Sequence, residues 1–232
     1  MKKGLLVLIL LFIFLSEIGL KINVTLGFVF YIALITGVLL SLHKVESLDN
    51  YGKLAVIFLI LPMIRIAEFF MNFDYFWKNL IVYYILLFLV CFYSFKFKIN
   101  PGYNKKYLVL LPLAILLGIS LGFLGNSLFS FEKDIKILIL VPVIAYSEEV
   151  LFRGLIQNLI KKEYSWVIAV LITAIIYGIF SLSFGFNFLV FIFLVNLIIS
   201  LIYNFAGNIF LTITINIILQ TFLFILPKIH LV

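Results

Sequence analysis

Three charged residues, Glu148, Glu149 and Arg153, lie inside a long apolar run of the sequence. The run reads IKILILVPVIAYSEEVLFRGLIQNLI over residues 135–160 and holds no other Asp, Glu, Lys, Arg or His after Lys136. A charged side chain at the centre of a bilayer costs roughly 2.5–3.5 kcal/mol on insertion scales. A carboxylate placed there can act as a general acid or base. The cluster therefore predicts a functional site within the membrane.

The spacing of the three charges separates their roles. Glu149 and Arg153 are four residues apart, on one helix face, with the glutamate on the N-terminal side, which is the favourable order. Glu148 projects about 100° further round the helix. We predict that Glu149 neutralises Arg153 and that Glu148 is left to act as a general base or acid. The alternative is that all three form one buried network that only fixes helix packing.

Three later apolar segments carry polar side chains at four-residue intervals. They are Thr173, Tyr177 and Ser181, then Asn196, Ser200 and Asn204, then Thr212, Asn216 and Gln220. Such residues commonly join helix to helix in membranes, which is one interpretation of each stripe. All three stripes follow the apolar run over residues 135–160, which we call the charged segment. We therefore expect them to line a polar cavity that they share with Glu148 near the middle of the membrane.

Composition predicts an all-α, polytopic transmembrane helical bundle. Of the 232 residues, 66% are hydrophobic and 12% are charged, against about 25% charged in ordinary soluble domains, and the mean hydropathy is +1.30. The net charge of +7 comes from lysines in short loops, which is not the pattern of a nucleic-acid-binding face, so no nucleic acid partner is expected. Cys91 is the only cysteine, which excludes an internal disulfide and a cysteine zinc site.

Nine apolar runs are candidates to cross the membrane, which takes about 20 helical residues. They cover residues 4–20, 24–42, 54–71, 79–95, 107–129, 135–160, 166–183, 186–203 and 207–226. We therefore expect about eight to nine helices in one membrane domain. Residues 1–130 carry no specific motif, and residues 131–232 form the core with the charged segment. The first run lacks a signal-peptide cleavage pattern and is interpreted as a retained span.

The lysines predict the orientation, since cytoplasmic loops carry an excess of them. With the N-terminus inside, ten lysines lie in inside loops, namely Lys2, Lys3, Lys44, Lys53, Lys96, Lys98, Lys105, Lys106, Lys161 and Lys162. Five lie outside, namely Lys21, Lys78, Lys133, Lys136 and Lys228. The sequence thus predicts an integral protein of a bacterial or archaeal cell membrane with a cytoplasmic N-terminus. We also expect Glu17 to reach the membrane interface and Arg65 to pair with Glu68.

The string EEVLFRG, residues 148–154, resembles the EExxxR motif of the CPBP intramembrane proteases. That family includes type II CAAX prenyl endopeptidases and bacteriocin-processing or immunity-type bacterial relatives. The resemblance covers about residues 135–226, and it implies that Glu148, Glu149 and Arg153 are catalytic. It also implies a substrate cleft between the late helices.

Two further family motifs align with this sequence in position but not in chemistry. The FxxxH motif falls on Tyr177 and Ser181, and the HxxxN motif falls on Asn216 and Gln220, so both histidines are replaced. The histidines that the chain does have, His43 and His230, are at predicted helix ends. In the family the two histidines and a glutamate are thought to hold a metal or polarise water. Zinc needs about three protein ligands, so no metal and no other cofactor is expected here.

Three functions remain open at this point. The resemblance implies an intramembrane endopeptidase that acts on a membrane-associated peptide or protein, with or without a prenyl group, and that has degraded or metal-free activity. The missing histidines favour a catalytically inactive relative that acts as a membrane binding or immunity-type protein. A small transporter would also have polar residues at the membrane midplane, but the sequence lacks the repeated halves common in transporters. Membrane lipid is an expected partner in each case.

Overall fold

The computed structural model describes residues 2–42, 49–71, 75–129, 135–182 and 185–224. These residues form eleven α-helices: α1 (Lys2–Ile22), α2 (Val24–Leu42), α3 (Asn50–Phe58), α4 (Ile60–Phe70), α5 (Tyr75–Lys96), α6 (Leu111–Leu128), α7 (Val141–Glu149), α8 (Asn158–Glu163), α9 (Trp166–Phe180), α10 (Phe186–Ala206) and α11 (Ile209–Phe224). Short 3-10 helices precede α6 (Lys105–Leu110) and α7 (Ile135–Ile139), and a π-helix (Val150–Gln157) joins α7 to α8. His43 and His230, which the sequence predicts to be at helix ends, lie outside the described residues.

Helix ends are fixed by residues suited to those positions. The Asp49 side chain accepts a hydrogen bond from a first-turn backbone N–H of α3, and Ser165 does the same for α9, which pairs groups that helices leave open. Pro142 lies in the first turn of α7, where its missing N–H removes no helical bond. Gly207 ends α10 in the left-handed conformation, with φ of 58°, which glycine adopts without steric cost.

Within the described residues the helices form nine rods, because α3 continues into α4 and α7 continues through the π-helix into α8. Rods that follow one another in the chain run in opposite directions. At one end of the bundle Asn50 donates to Glu163 over 2.6 Å, and Asn208 donates to the Asn104 carbonyl over 2.9 Å. We call this end, where α5 and α8 finish, the Lys161 face. The opposite end, where α5 begins, is the Lys78 face.

The chain is an integral membrane protein with an all-α polytopic bundle, as the composition predicts. In the part of the chain that the structure describes, four helical stretches are long and apolar enough to cross a membrane: Asn50–Glu68, Phe76–Lys96, Lys105–Leu128 and Phe186–Ala206. Shorter apolar helices, among them Trp166–Phe180 and Ile209–Phe224, pack between them. The many apolar side chains exposed on the outside of the bundle are the surface that lipid covers.

The third rod begins earlier than expected and is interrupted. The sequence predicts a single span over residues 54–71, whereas the helix starts at Asn50 and breaks at Leu59. Pro62 follows three residues after the break. A proline cannot donate to the carbonyl four residues before it and clashes with that carbonyl, which accounts for the break next to Phe58.

Glycines bring α6 and α11 close together. A Cβ atom built on Gly122 would lie 2.7 Å from Cβ of Phe222, and one on Gly125 would lie 2.8 Å from a methyl carbon of Leu223. Small residues at such positions allow the two backbones to approach closely, as is typical of membrane helix pairs. Asn126 also donates to the Phe222 carbonyl. This packing fixes the position of α11.

Candidate active site

The charged segment spans the junction between α7 and the π-helix. Glu148 and Glu149 are the last two residues of α7, and Arg153 is the fourth residue of the π-helix. Glu149 and Arg153 are both 0% exposed, and Oε1 of Glu149 lies 3.2 Å from Nη1 of Arg153. The predicted ion pair is thus confirmed. Single π-helical turns often occur at functional sites.

The buried ion pair also contacts α9, α10 and α11. Arg153 donates through Nη2 to Oδ1 of Asn196 on α10, and its guanidinium lies 5.4 Å from the ring centroid of Tyr177 on α9. Glu149 accepts a hydrogen bond of 3.0 Å from Nδ2 of Asn216 on α11. Additional polar contacts of this kind offset part of the cost of burying a charge pair. The pair therefore holds α9, α10 and α11 around the charged segment.

Glu148 is surrounded by hydrogen-bond donors, and Arg153 pairs with Glu149 instead of with it. Its Oε2 accepts from the hydroxyl of Tyr177 at 2.5 Å, from Nε2 of Gln220 at 2.9 Å and from Nδ2 of Asn216 at 3.3 Å. Its Oε1 lies 3.4 Å from the hydroxyl of Tyr83 on α5. Among the described residues no lysine or arginine forms an ion pair with it. Neutral donors from α5, α9 and α11 therefore surround this carboxylate.

A cavity of about 340 Å³ lies beside Glu148, within the range of small-molecule and peptide pockets. Polar groups along its wall come from the site residues Glu148, Tyr177, Ser181, Asn196, Asn216 and Gln220. The rest of the wall is mostly apolar and includes Leu61, Ile64, Leu86, Ile144, Leu151 and Phe152. A carboxylate and several hydrogen-bond donors thus face a largely apolar space. Such a space can receive an apolar segment with a polar backbone.

A second charged group lines the cavity at Arg65 of α4. Arg65 lies 3.0 Å from Oε1 of Glu17 and 2.8 Å from Oε2 of Glu68, and it donates to the Phe180 carbonyl at the end of α9. The expected Arg65–Glu68 pair is confirmed. The expectation that Glu17 reaches the interface is wrong: Glu17 is 2% exposed and also accepts from Tyr31. The guanidinium keeps it inside because it supplies a buried counter-charge.

Toward the Lys161 face a row of polar pairs joins the charged segment to α10. Arg153 pairs with Asn196, Gln157 donates to the Ser200 carbonyl at 3.0 Å, and Lys161 donates to Oδ1 of Asn204 at 2.9 Å. Each pair joins residues 43 positions apart in the sequence. We call these three pairs the polar ladder. They join the two helices from the inner end of the cavity, where Asn196 is part of the wall, toward the Lys161 face.

The structure brings together most, but not all, of the residues that the sequence singles out. Tyr177, Asn216 and Gln220 contact Glu148 directly. Ser181 lines the cavity, and its hydroxyl donates to the Tyr177 carbonyl at 3.4 Å rather than to the carboxylate.

The polar stripes are only partly shared with the cavity. Thr173 and Thr212 bond to carbonyls of their own helices, and Ser200 and Asn204 belong to the polar ladder. The expectation that each whole stripe faces one cavity is therefore wrong. A four-residue spacing places side chains on a common face but over two or three turns, and only the turns nearest Glu148 reach it.

Sequence reasoning missed Tyr83, and it missed that Arg65 reaches the cavity. Tyr83 lies on an apolar helix among other aromatic residues, so neither spacing nor charge distinguishes it from a tyrosine facing lipid. Arg65 did stand out as a charge within an apolar run. Charged residues in transmembrane helices almost always face the interior of the bundle and have partners there. By that rule Arg65 is expected to face the interior, where a second partner besides Glu68 could lie.

The residues around Glu148 do not fit a zinc site. Zinc is bound by histidine, cysteine and carboxylate side chains. Here the side chains nearest Glu148 are amides and phenols that direct N–H or O–H groups at it. Glu149 is engaged by Arg153. Across the described part of the chain, no three His, Cys, Asp or Glu side chains form a group able to hold a metal.

Residues 132–222 match the family model described as type II CAAX prenyl endopeptidase Rce1-like. The matched segment contains the charged segment, Tyr177, Asn216 and Gln220, so the resemblance carried by EEVLFRG is confirmed for this part of the chain. The segment contains no histidine. Tyr83 and Arg65 lie before it. No curated protein and no solved structure matches the chain.

Proposed function

We propose that the chain is an intramembrane endopeptidase in which Glu148 activates the water that cleaves a membrane-associated peptide or protein. The observation that supports this most directly is the position of Glu148. It lies on the wall of the cavity, with hydrogen-bond donors from three other rods directed at it. A carboxylate within hydrogen-bond reach of a bound water is the geometry that a general base requires.

The proposed reaction adds one water across one peptide bond. Glu148 removes a proton from the water, and the resulting hydroxide attacks the carbonyl carbon of the substrate. The negative charge on the carbonyl oxygen is stabilised by N–H and O–H donors now directed at Glu148, among which Gln220 and Tyr177 are closest. Donors of this kind typically contribute 10²- to 10³-fold to the rate, or about 2.7–4 kcal/mol. The protonated Glu148 then gives its proton to the leaving nitrogen as the C–N bond breaks.

Glu149 and Arg153 have a different proposed role from Glu148. They are fully buried and paired with each other, so neither is placed to touch a substrate in the cavity. Through Asn216, which donates to both carboxylates, Glu149 orients an amide that faces Glu148. We therefore assign the pair to positioning the site. This follows the division of roles that the spacing predicts, whereas the family resemblance implies that all three residues are catalytic.

The reaction proposed here uses no metal. Its chemical support is the donor set around Glu148, which presents amide and phenol groups instead of imidazole or thiolate ligands. A carboxylate base with neutral donors is sufficient for the proton transfers described above.

A second candidate function is recognition without cleavage, as in an inactive relative. The absence of histidine from residues 132–222 favours it, as does the number of donors already occupied by Glu148. In that function the same cavity would bind a membrane peptide and release it unchanged. The two candidates share the ligand and differ only in the fate of its peptide bond.

We further propose that the N-terminus lies on the cytoplasmic side and that lipid surrounds the bundle. The described lysines support this orientation. Lys2, Lys3, Lys53, Lys96, Lys98, Lys105, Lys106, Lys161 and Lys162 lie toward the Lys161 face, and Lys21, Lys78 and Lys136 lie toward the Lys78 face. An excess of lysine marks the cytoplasmic side.

The test is cleavage by purified protein in lipid nanodiscs, with peptides that carry an apolar anchor of about 20 residues. Glu148→Gln keeps a hydrogen-bond acceptor for Tyr177 but loses the base, and we expect it to lower the rate by about 10²- to 10⁴-fold. Glu163→Gln is the matched control, because Glu163 pairs with Asn50 far from the cavity. Equal cleavage by wild type and Glu148→Gln would overturn the assignment. Binding of the peptides by folded wild type without any cleavage would establish the second candidate.

A further inference from the structure

The cavity at Glu148 approaches one face of the membrane. Its described lining residues come from the middle turns of the helices or from their halves nearest the Lys78 face. Its outer end includes Glu68, two residues before the end of α4, and Lys78, the fourth residue of α5. Phe224, the last residue of α11, is also part of it. The cavity therefore extends from mid-membrane to the Lys78 face.

Toward the opposite face hydrogen bonds join the charged segment to α10, and a separate apolar cavity of about 320 Å³ lies between α6, α10 and α11. The polar ladder closes the gap between the charged segment and α10. Leu155, Ile156 and Leu159 are buried between the ladder and its neighbours. Asn158 donates to the hydroxyl of Tyr203 at 2.8 Å, and that hydroxyl donates to the Pro101 carbonyl at 2.5 Å. From Glu149 to Lys161 this closed region is roughly 18 Å deep at the helical rise of about 1.5 Å per residue.

The closed face is the lysine-rich one. It includes the loop that follows α5, with Lys98, Lys105 and Lys106, and the end of α8, with Lys161 and Lys162. Such short, lysine-rich connections are retained on the cytoplasmic side of a membrane. The face that the cavity reaches is then the extracytoplasmic one.

We infer that the cavity opens on the extracytoplasmic side and that its ligand is a membrane-inserted peptide segment that enters from there. That the ligand is cleaved rests on the proposed endopeptidase function, and the side on which the cavity opens rests on the proposed orientation. A prenylated C-terminus of a cytoplasmic protein would meet the closed face. The substrate class is therefore exported or membrane-spanning chains, which the cavity would bind at the outer boundary of their membrane segment.

The composition of the cavity wall fits such a segment. Near its outer end Glu68 and Lys78 present opposite charges, which suit polar residues at the level of the lipid headgroups. Between that end and Glu148 the wall includes Ile137, Ile144 and Phe188 beside Arg65, and its apolar part suits apolar side chains. A transmembrane segment changes from apolar to polar residues at the boundary of the membrane. The cavity has the same order of surfaces.

The opening is tested by thiol labelling in whole cells, with the full chain in a Cys91→Ser background. Single variants Lys78→Cys, at the outer end of the cavity, and Ser181→Cys, on its wall, are treated with a membrane-impermeant methanethiosulfonate that carries a fixed positive charge. Lys161→Cys serves as the control on the opposite face. We expect Lys78→Cys and Ser181→Cys to react in intact cells and Lys161→Cys to react only in inverted vesicles. The labelling rate of the first two in intact cells should exceed that of Lys161→Cys at least tenfold. The reverse pattern would overturn the inference. Asn79→Cys, also on the cavity wall, replaces Lys78→Cys if that variant does not fold.

The ligand class is tested with two reporter proteins that share one apolar helix and one flanking sequence. In one reporter the flanking sequence is outside the cell, and in the other it is inside. With wild-type protein we expect at least tenfold more cleavage of the outside reporter than of the inside reporter. With Glu148→Gln we expect the two reporters to be cleaved equally little. Preferential cleavage of the inside reporter would overturn the inference while supporting proteolysis. Outside labelling together with crosslinking of the uncleaved outside reporter would support the inference and reject proteolysis.

Discussion

The hydroxyl of Tyr177 donates to Oε2 of Glu148 over 2.5 Å, from a helix 29 residues further along the chain. The ring of Tyr177 also packs against Phe152, with centroids 4.5 Å apart. The tyrosine is therefore fixed both by its ring and by its hydroxyl. Its hydrogen bond determines which oxygen of Glu148 faces the amides of α11.

Removal of this hydroxyl should affect activity more than folding. We expect Tyr177→Phe to lower the cleavage rate by about 10²- to 10³-fold, because the carboxylate and any oxyanion lose the closest donor. The free energy of unfolding should fall by only about 1 kcal/mol, since the ring packing remains. Tyr84→Phe, which removes the hydroxyl from an exposed residue of α5, is the control. A Tyr177→Phe protein with full activity would show that this hydrogen bond does not contribute to the reaction.

The buried ion pair should be needed for stability. Arg153→Met leaves Glu149 buried without its cation, and breaking a buried pair by removing one partner costs about 3–5 kcal/mol. We expect the free energy of unfolding, measured with denaturant in detergent micelles, to fall by a corresponding amount. The double variant Glu149→Gln/Arg153→Met removes both charges and should recover at least half of the loss. If the double variant is less stable than Arg153→Met alone, the pair is not the source of the effect.

The contact between α6 and α11 should not tolerate a larger residue. In Gly122→Ala the new methyl group would lie 2.7 Å from Cβ of Phe222, and overpacking of this kind typically costs about 1–3 kcal/mol. In Gly37→Ala nothing lies within 4 Å of the new methyl group, so the gain in helix propensity should stabilise the protein by up to about 1 kcal/mol. Thermal unfolding of the two variants in one detergent compares them directly. Equal changes in unfolding temperature for Gly122→Ala and Gly37→Ala would contradict the close packing of α6 against α11.

Metal removal should leave the cleavage rate unchanged. Incubation of the purified protein with EDTA or 1,10-phenanthroline, followed by dialysis, tests this with the anchored peptides. Elemental analysis of the untreated protein gives a readout that does not depend on activity, and we expect less than about 0.1 zinc per chain, since the site lacks the usual ligands. Stoichiometric zinc whose removal abolishes cleavage would refute the metal-free reaction.

The sequence predicts the charged segment better than it predicts its surroundings. The Glu149–Arg153 pair follows from four-residue spacing within one helix, and spacing within a helix is independent of the tertiary fold. Asn216 and Gln220 could be identified because amides are rare in apolar helices. Both predictions concern residues that differ in chemistry from the lipid around them.

Contacts between helices are much harder to predict in this chain. In water an apolar stripe indicates which side of a helix is buried, but lipid is as apolar as the interior of the bundle. The sequence therefore does not distinguish Tyr83, which faces Glu148, from Tyr84, which is exposed to lipid. Glu17 was misplaced for a similar reason, because its partner Arg65 lies 48 residues away.

The polar ladder has a consequence for motion. Its three pairs share one register, so sliding of α10 along the charged segment would break all of them together. The glycine contact ties α11 to α6 in the same way. α5 is mostly exposed to lipid, with 17% of its apolar stretch buried, and reaches Glu148 through a single long contact from Tyr83. We therefore expect α5 to be the wall that moves most if the cavity widens to admit a ligand.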